Sequence, residues 1–146
     1  MKYKKIIFIC RDNSTLSPLA EAIFKSICNE EEVIIESRGL VVLFEAPINP
    51  KIGVVLGSHG IEYSKERTKG LSEADFTRDT LVLAMNERSA KLCDERFPMI
   101  QVATLYDFVG EKEVEDPYGG TLIDYEKCFS EMSVVLRKLS ERLGEE

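Results

Sequence analysis

Apolar positions change period along the chain, and each change marks an element. Lys5–Ile9 carries a continuous apolar run, the pattern of a strand covered on both faces. From Pro18 to Cys28, Leu19, Ala22, Ile23 and Ile27 recur at helical spacing. Pro18 suits a first helical turn and Ser17 the cap before it. Val33–Glu36 is short and β-branched and predicts a second strand. Asn49–Ser58 predicts a helix, with Gly60 at a left-handed cap. Thr80–Ala84 predicts a third strand, and Glu87–Phe97 a helix stopped by Pro98. Ile100–Thr104 predicts a fourth strand, and Asp116–Gly120 a turn-rich loop. Ile123–Leu143 predicts a long terminal helix, with Tyr125, Phe129, Met132, Val135, Leu136, Leu139 and Leu143 along its apolar face. No internal repeat, low-complexity stretch or linker interrupts this order.

Strands alternating with helices predict an α/β fold: a three-layer sandwich around a four-stranded parallel sheet. The 146 residues fit one domain spanning 1–146. A domain of that size buries roughly 70% of the surface of its unfolded chain, so it needs neither disulfide nor metal to hold together. In parallel sheets ligands bind beyond the carboxyl ends of the strands. Two loops at such positions carry unusual residues, Cys10–Ser17 and Asp116–Gly120.

Charge narrows the choice of partner. With 26 acidic against 19 basic residues the net charge is −7, which argues against nucleic acid, since phosphate backbones select basic surfaces. The opening apolar run is too short for a secretory signal or a membrane span, so a cytoplasmic location without a membrane partner is expected. Cys10, Cys28, Cys93 and Cys128 are widely spaced and accompany a single histidine. That pattern suits neither a metal site nor a disulfide framework, and no cofactor is expected. Cys28, Cys93 and Cys128 read as small core hydrophobes. His59, before Gly60, reads as a capping or surface residue without a dyad partner. Asp107 and Glu111–Glu115 read as a solvated acidic loop, and Lys65, Arg67 and Lys69 as surface cations.

Cys10 follows a buried strand and precedes a helix. Taken alone, it is a strand ending in a buried thiol. Taken with its loop, successive N–H groups and a helix N-terminus can form a nest for an anion. The same donors would favour a thiolate, with a pKa below the free value of about 8.5, and so a nucleophile. Glu115-Asp116-Pro117-Tyr118 taken alone is a turn.

Cys10, Asn13, Ser17, Pro18, Ala20, Glu21 and Ala22 together resemble the signature of the low molecular weight protein tyrosine phosphatases. That signature is a nucleophilic Cys, five residues, then Arg-Ser-Pro leading into a helix. The resemblance continues through Glu36–Gly39, Gly60–Ser64 with Arg67 and Leu71, Leu83–Asn86, and Asp116–Gly120, so it is nearly full length. It implies a phosphate-binding loop over Arg11, Asp12, Asn13, Ser14, Thr15, Leu16 and Ser17, with Cys10 as nucleophile. It implies Asp116 as general acid, Tyr118 as an aromatic wall for the substrate, and Pro117 as the fixed point of that loop. Gly119-Gly120 favours the bacterial branches, some of which act on phospho-arginine. The implied ligand is a phosphorylated protein, a small phosphomonoester or an oxyanion, bound by a monomer or weak dimer.

Three positions depart from the pattern. The family's arginine is Leu16, which has no planar fork to grip two phosphoryl oxygens. The usual glycine two residues after the cysteine is Asp12, a carboxylate beside the expected phosphate. The second cysteine of many members is Thr15, which removes a disulfide switch. Arg11 reads as a solvated charge paired with Asp12, the alternative being a side chain that leans over the pocket mouth. Two functions follow: a weakened cysteine phosphatase, or a pseudophosphatase that binds an anion or a protein. Arsenate reduction is disfavoured, because it needs the loop arginine and further redox cysteines.

Overall fold

The computed structural model of the chain describes residues 2–28 and 32–144. Four parallel strands form one sheet: β1 (Lys5–Cys10), β2 (Ile34–Gly39), β3 (Thr80–Ala84) and β4 (Val102–Thr104), in the order β2-β1-β3-β4. The helices are α1 (Leu16–Ile27), α2 (Pro50–Ser58), α3 (Glu87–Arg96), α4 (Leu105–Val109) and α5 (Leu122–Gly144), with a 3-10 turn at Glu73–Asp75.

All six residues of β1 are buried, as its unbroken apolar run requires. Alternation along the strand sends Ile6, Phe8 and Cys10 into a core shared with α1, α2, α4 and α5. Ile7 and Ile9 enter a smaller core on the opposite face, with Ala90 and Cys93 of α3. Those two clusters are the outer interfaces of the three-layer sandwich. Each fully buried side chain of this size contributes about 1.5–3 kcal/mol, so the strand that delivers Cys10 is strongly anchored. No helix among the described residues is long and apolar enough to cross a membrane.

Thr80–Ala84 forms as the pattern predicts, and Asn49 caps α2 by accepting from Lys51 N at 3.0 Å. Gly60 takes φ 71°, the left-handed conformation expected of it. The second strand extends beyond Glu36 to Gly39, because polar residues there are buried by distant partners. Arg38 Nε donates to Asp75 Oδ1 at 3.2 Å, and its other nitrogens reach Glu36 and the Ser37 carbonyl. The first helix begins at Leu16, ahead of Pro18, with Thr15 in the cap position but its side chain bonding none of the helix's N–H groups. Proline is tolerated in that first turn, where N–H groups lack partners anyway. The fourth strand is shorter than its pattern and runs straight into α4. Thr104 caps that helix by accepting from Asp107 N at 3.1 Å, and Gly110 ends it at φ 77°.

Candidate active site

Cys10 closes β1, and the chain then turns through residues 11–15 into α1. The turn is built around Asn13, which is fully buried with φ 60°. Asparagine tolerates that conformation when its side chain is bonded locally. Asn13 Nδ2 donates to Ser17 Oγ at 2.9 Å and to Ser37 Oγ at 3.0 Å, and Oδ1 accepts from Lys69 N at 2.9 Å. Both amide hydrogens and the carbonyl are therefore used. Ser37 Oγ in turn donates to Glu21 Oε1 at 2.5 Å, and Glu21 Oε2 accepts from Lys25 at 2.7 Å. With Asn13 donating to the Ser17 oxygen, the Ser17 proton is available to Cys10 Sγ, 2.8 Å away. Asn13 N donates to the same sulfur at 3.3 Å. Gly39, paired with Cys10 across the sheet, lets the turn approach: an added Cβ would lie 2.8 Å from Asp12 C and 2.9 Å from Asn13 N.

The three departures are visible in this geometry. Asp12 Oδ1 accepts from Ser14 N at 3.1 Å and from the Ser14 hydroxyl at 2.8 Å. The Arg11–Asp12 pair expected from sequence is not formed. A carboxylate two residues before an N–H closes a short-range Asx turn, and that turn holds Asp12. Arg11 is exposed and forms no ion pair among the described residues. Leu16 is 3% exposed and belongs to the larger core, though one side of it reaches the cleft. Thr15 is buried and accepts from Asn49 Nδ2 at 3.3 Å.

The thiol itself corrects a second expectation. Burial pushes the Cys10 pKa above the ordinary thiol value. Hydrogen bonds from the Ser17 hydroxyl and from the Ser17 and Asn13 backbones oppose that shift without overcoming it, and the Asp12 charge adds to it. The donors foreseen from sequence are present, but desolvation outweighs them.

Cys10 meets Asp116 at a cleft of about 200 Å³. Arg11, Asp12, Ser14, Thr15 and Leu16 of the first loop line it together with Asn86, Asp116 and Tyr118. Asn13 and Ser17 are fully buried and act on the sulfur from beneath. Asp116 Oδ1 accepts from Tyr118 N at 2.9 Å, Pro117 is buried and Gly119 takes φ 83°. Tyr118 is 76% exposed, so it stands at the mouth of the cleft. Behind the same loop a cavity of about 380 Å³ shares Asp116 and Tyr118 with the cleft. Glu115, Asp124, Lys127 and Glu131 also line it.

Sequence reasoning quoted Glu21 and Ser37 as matches but assigned them no role in the site. The available signal was a carboxylate embedded among the apolar positions of α1. Lys65 also needs correction. It is not a surface cation: its Nζ donates to the Ser37 carbonyl at 3.2 Å and lies 4.0 Å from Glu21, and burial lowers its pKa. Arg67 is exposed and bonded to the Glu45 carbonyl. Lys69 is exposed and enters the site only through its backbone. His59 does have a carboxylate partner, Glu126 at 2.7 Å, and its ring stacks on Phe129, but this pair joins α2 to α5 and does not line the cleft. Cys93 and Cys128 are buried, with thiols pushed up to about 11 and about 12, while Cys28 is half-buried. In the acidic loop, Glu113 and Glu115 are exposed, Glu111 pairs with Lys138, and Val114 is buried as an anchor. No group of three or more His, Cys, Asp or Glu among the described residues could hold a metal ion.

The family profile described as low molecular weight phosphotyrosine protein phosphatase matches residues 5–146. A low molecular weight protein-tyrosine-phosphatase of Staphylococcus aureus, PtpB, is 30% identical, over 94% of this chain and 97% of its own length. A protein-arginine-phosphatase of Bacillus subtilis is 32% identical, over 94% and 95%. A solved structure of the arginine phosphatase YwlE, a cysteine-to-serine mutant with its active-site serine phosphorylated, superposes with a TM-score of 0.87 at 29% identity, covering 97% of each chain. The chain therefore belongs to the low molecular weight protein tyrosine phosphatase family.

Proposed function

We propose that this chain is a slow cysteine-dependent phosphomonoester hydrolase acting on phosphotyrosine or phospho-arginine in proteins, or on small phosphomonoesters. The observation that carries the reading is the single cleft that Cys10 and Asp116 both line. Cys10 Sγ, as thiolate, attacks phosphorus, and the bond from phosphorus to the leaving group breaks as Asp116 protonates that group. Asp116 then takes a proton from water, the water oxygen bonds to phosphorus, and the P–S bond breaks to return the thiolate and inorganic phosphate. The phosphorylated serine of the YwlE mutant supports a covalent intermediate at the corresponding position.

Two features of the loop make the reaction slow. Leu16 supplies no donor to the phosphoryl oxygens, and losing one preorganised donor costs roughly 10²–10³ in rate. The raised thiol pKa leaves little nucleophile at neutral pH. Turnover of p-nitrophenyl phosphate tests the reading. The expected kcat lies well below the enzyme median of about 10 s⁻¹, and Cys10→Ser abolishes it. Turnover that survives Cys10→Ser overturns the assignment.

A second reading, a pseudophosphatase that binds without hydrolysing, is favoured by one observation. The Asp12 carboxylate already occupies the Ser14 N–H, a loop donor that a phosphate would otherwise use.

A further inference from the structure

We propose that Arg11 is the cation with which this cleft holds a phosphoryl group, working from the mouth of the pocket instead of its floor. The proposal rests on the phosphatase reading and adds a residue role to it. Among the residues lining the cleft, the carboxylate and basic side chains are Arg11, Asp12 and Asp116. A phosphate dianion placed over Cys10 meets two carboxylates, and Arg11 is the single cation of that lining.

Other basic groups near the loop are committed elsewhere. Lys65 lies beneath it on the Ser37 carbonyl and close to Glu21. Arg67 donates to the Glu45 carbonyl, and Lys69 is not part of the cleft wall.

Arg11 is also placed for the task. Its carbonyl accepts from Val41 N at 2.7 Å, so its backbone is fixed at the rim. Its side chain is exposed and has no carboxylate partner among the described residues. The obvious quencher is its neighbour Asp12, and Asp12 is turned onto the N–H and hydroxyl of Ser14. The Asx turn at Asp12 therefore leaves the guanidinium without that carboxylate as a partner. A guanidinium binds two oxygens of a phosphate at once, and from the rim it can do so with the oxygens that point out of the pocket.

The test measures phosphate binding apart from turnover. Inorganic phosphate should protect Cys10 of the full chain from iodoacetamide, read by peptide mass mapping. The proteins compared are wild type, Arg11→Ala, Arg11→Lys, Leu16→Arg and the double variant Arg11→Ala/Leu16→Arg. Arg11→Ala should raise the half-protecting phosphate concentration about 10-fold or more, the range for a hydrogen bond to a charged group, and Arg11→Lys should restore part of the loss. Once Leu16→Arg provides another clamp, the Arg11→Ala effect should shrink to about 3-fold or less, the signature of two groups serving one ligand. Circular dichroism and thermal melting verify that each variant is folded. Equal protection in wild type and Arg11→Ala overturns the proposal, as does a wild type that phosphate does not protect. Hydrolysis of p-nitrophenyl phosphate separates the two failures. Intact, Arg11-dependent protection without turnover overturns hydrolysis and leaves Arg11 as the anion-binding cation. Turnover indifferent to Arg11→Ala does the reverse.

Discussion

Restoring the missing clamp is the most demanding test of how the cleft works. Leu16→Arg brings a guanidinium to the start of α1, beside the thiol. Its structural cost follows from burial: Leu16 is 3% exposed in the larger core, so its removal forfeits about 1.5–3 kcal/mol. That is tolerable against a typical 5–15 kcal/mol for a domain, because one side of the residue already reaches the cleft and gives the new side chain an exit. The catalytic gain is bounded by one preorganised donor, roughly 10²–10³, and by arginine fingers in other phosphoryl transfers, roughly 10³–10⁵. The single variant should stay near or below the lower bound, since the Asp12 carboxylate still lines the same cleft and repels the phosphoryl oxygens. Asp12→Gly alone frees the Ser14 N–H and removes a repulsive charge, but provides no cation. Leu16→Arg with Asp12→Gly should therefore exceed the product of the single gains by a coupling of about 0.5–3 kcal/mol. The assay is kcat/KM toward p-nitrophenyl phosphate for all four proteins. A double variant equal to the product of the singles refutes the coupling through Asp12, and a wild type turning over at about 10 s⁻¹ refutes the importance of Leu16 altogether.

Two further outcomes follow from the loop. Alkylation of Cys10 plotted against pH should have its midpoint above that of a free thiol, because burial raises its pKa; peptide mapping separates it from half-buried Cys28, and a midpoint below the free thiol contradicts the dominance of desolvation. The sign carries over to stability: a thiol raised in the folded state stabilises below the unfolded thiol pKa, and that contribution is lost as pH rises through the folded value, so the urea midpoint should fall in the alkaline range less steeply for Cys10→Ser than for wild type. Gly39→Ala should cost about 1–3 kcal/mol by overpacking, because its Cβ would lie 2.6 Å from Val42 Cγ2 and 2.8 Å from the Asp12 backbone; an unchanged urea midpoint would show that the turn can retreat from the sheet.

The limits of the sequence are physical, and particular residues show where they fall. Thr80–Ala84 and the faces of β1 and α5 were legible because burial of apolar side chains is periodic, and period survives in one dimension. The end of β2 was not legible. Ser37 and Arg38 are buried through Glu21 and Asp75, partners 16 and 37 residues away, and nothing local announces them. The short α4 was missed although Thr104, Asp107 and Gly110 mark its two ends, since five residues carry too little periodicity to register.

At the site, the sequence could name residues that the fold gathers around Cys10, but not their energetic balance. The donors around Cys10 could be named from the loop, but their effect depends on how much water the fold removes from the sulfur. Cys10 is 6% exposed, and the same packing that aims Ser17 and Asn13 at it also removes the solvent that would stabilise a thiolate. A cation at position 16 would oppose that penalty directly, because opposite charge favours the ionised form. Leucine there leaves desolvation unopposed by any fixed charge. In the proposed reaction the leucine would act twice, once on the phosphoryl oxygens and once on the nucleophile. These effects separate experimentally: Leu16→Arg should lower the alkylation midpoint of Cys10 even with no phosphate present. An unchanged midpoint would confine the role of the missing arginine to the phosphoryl group.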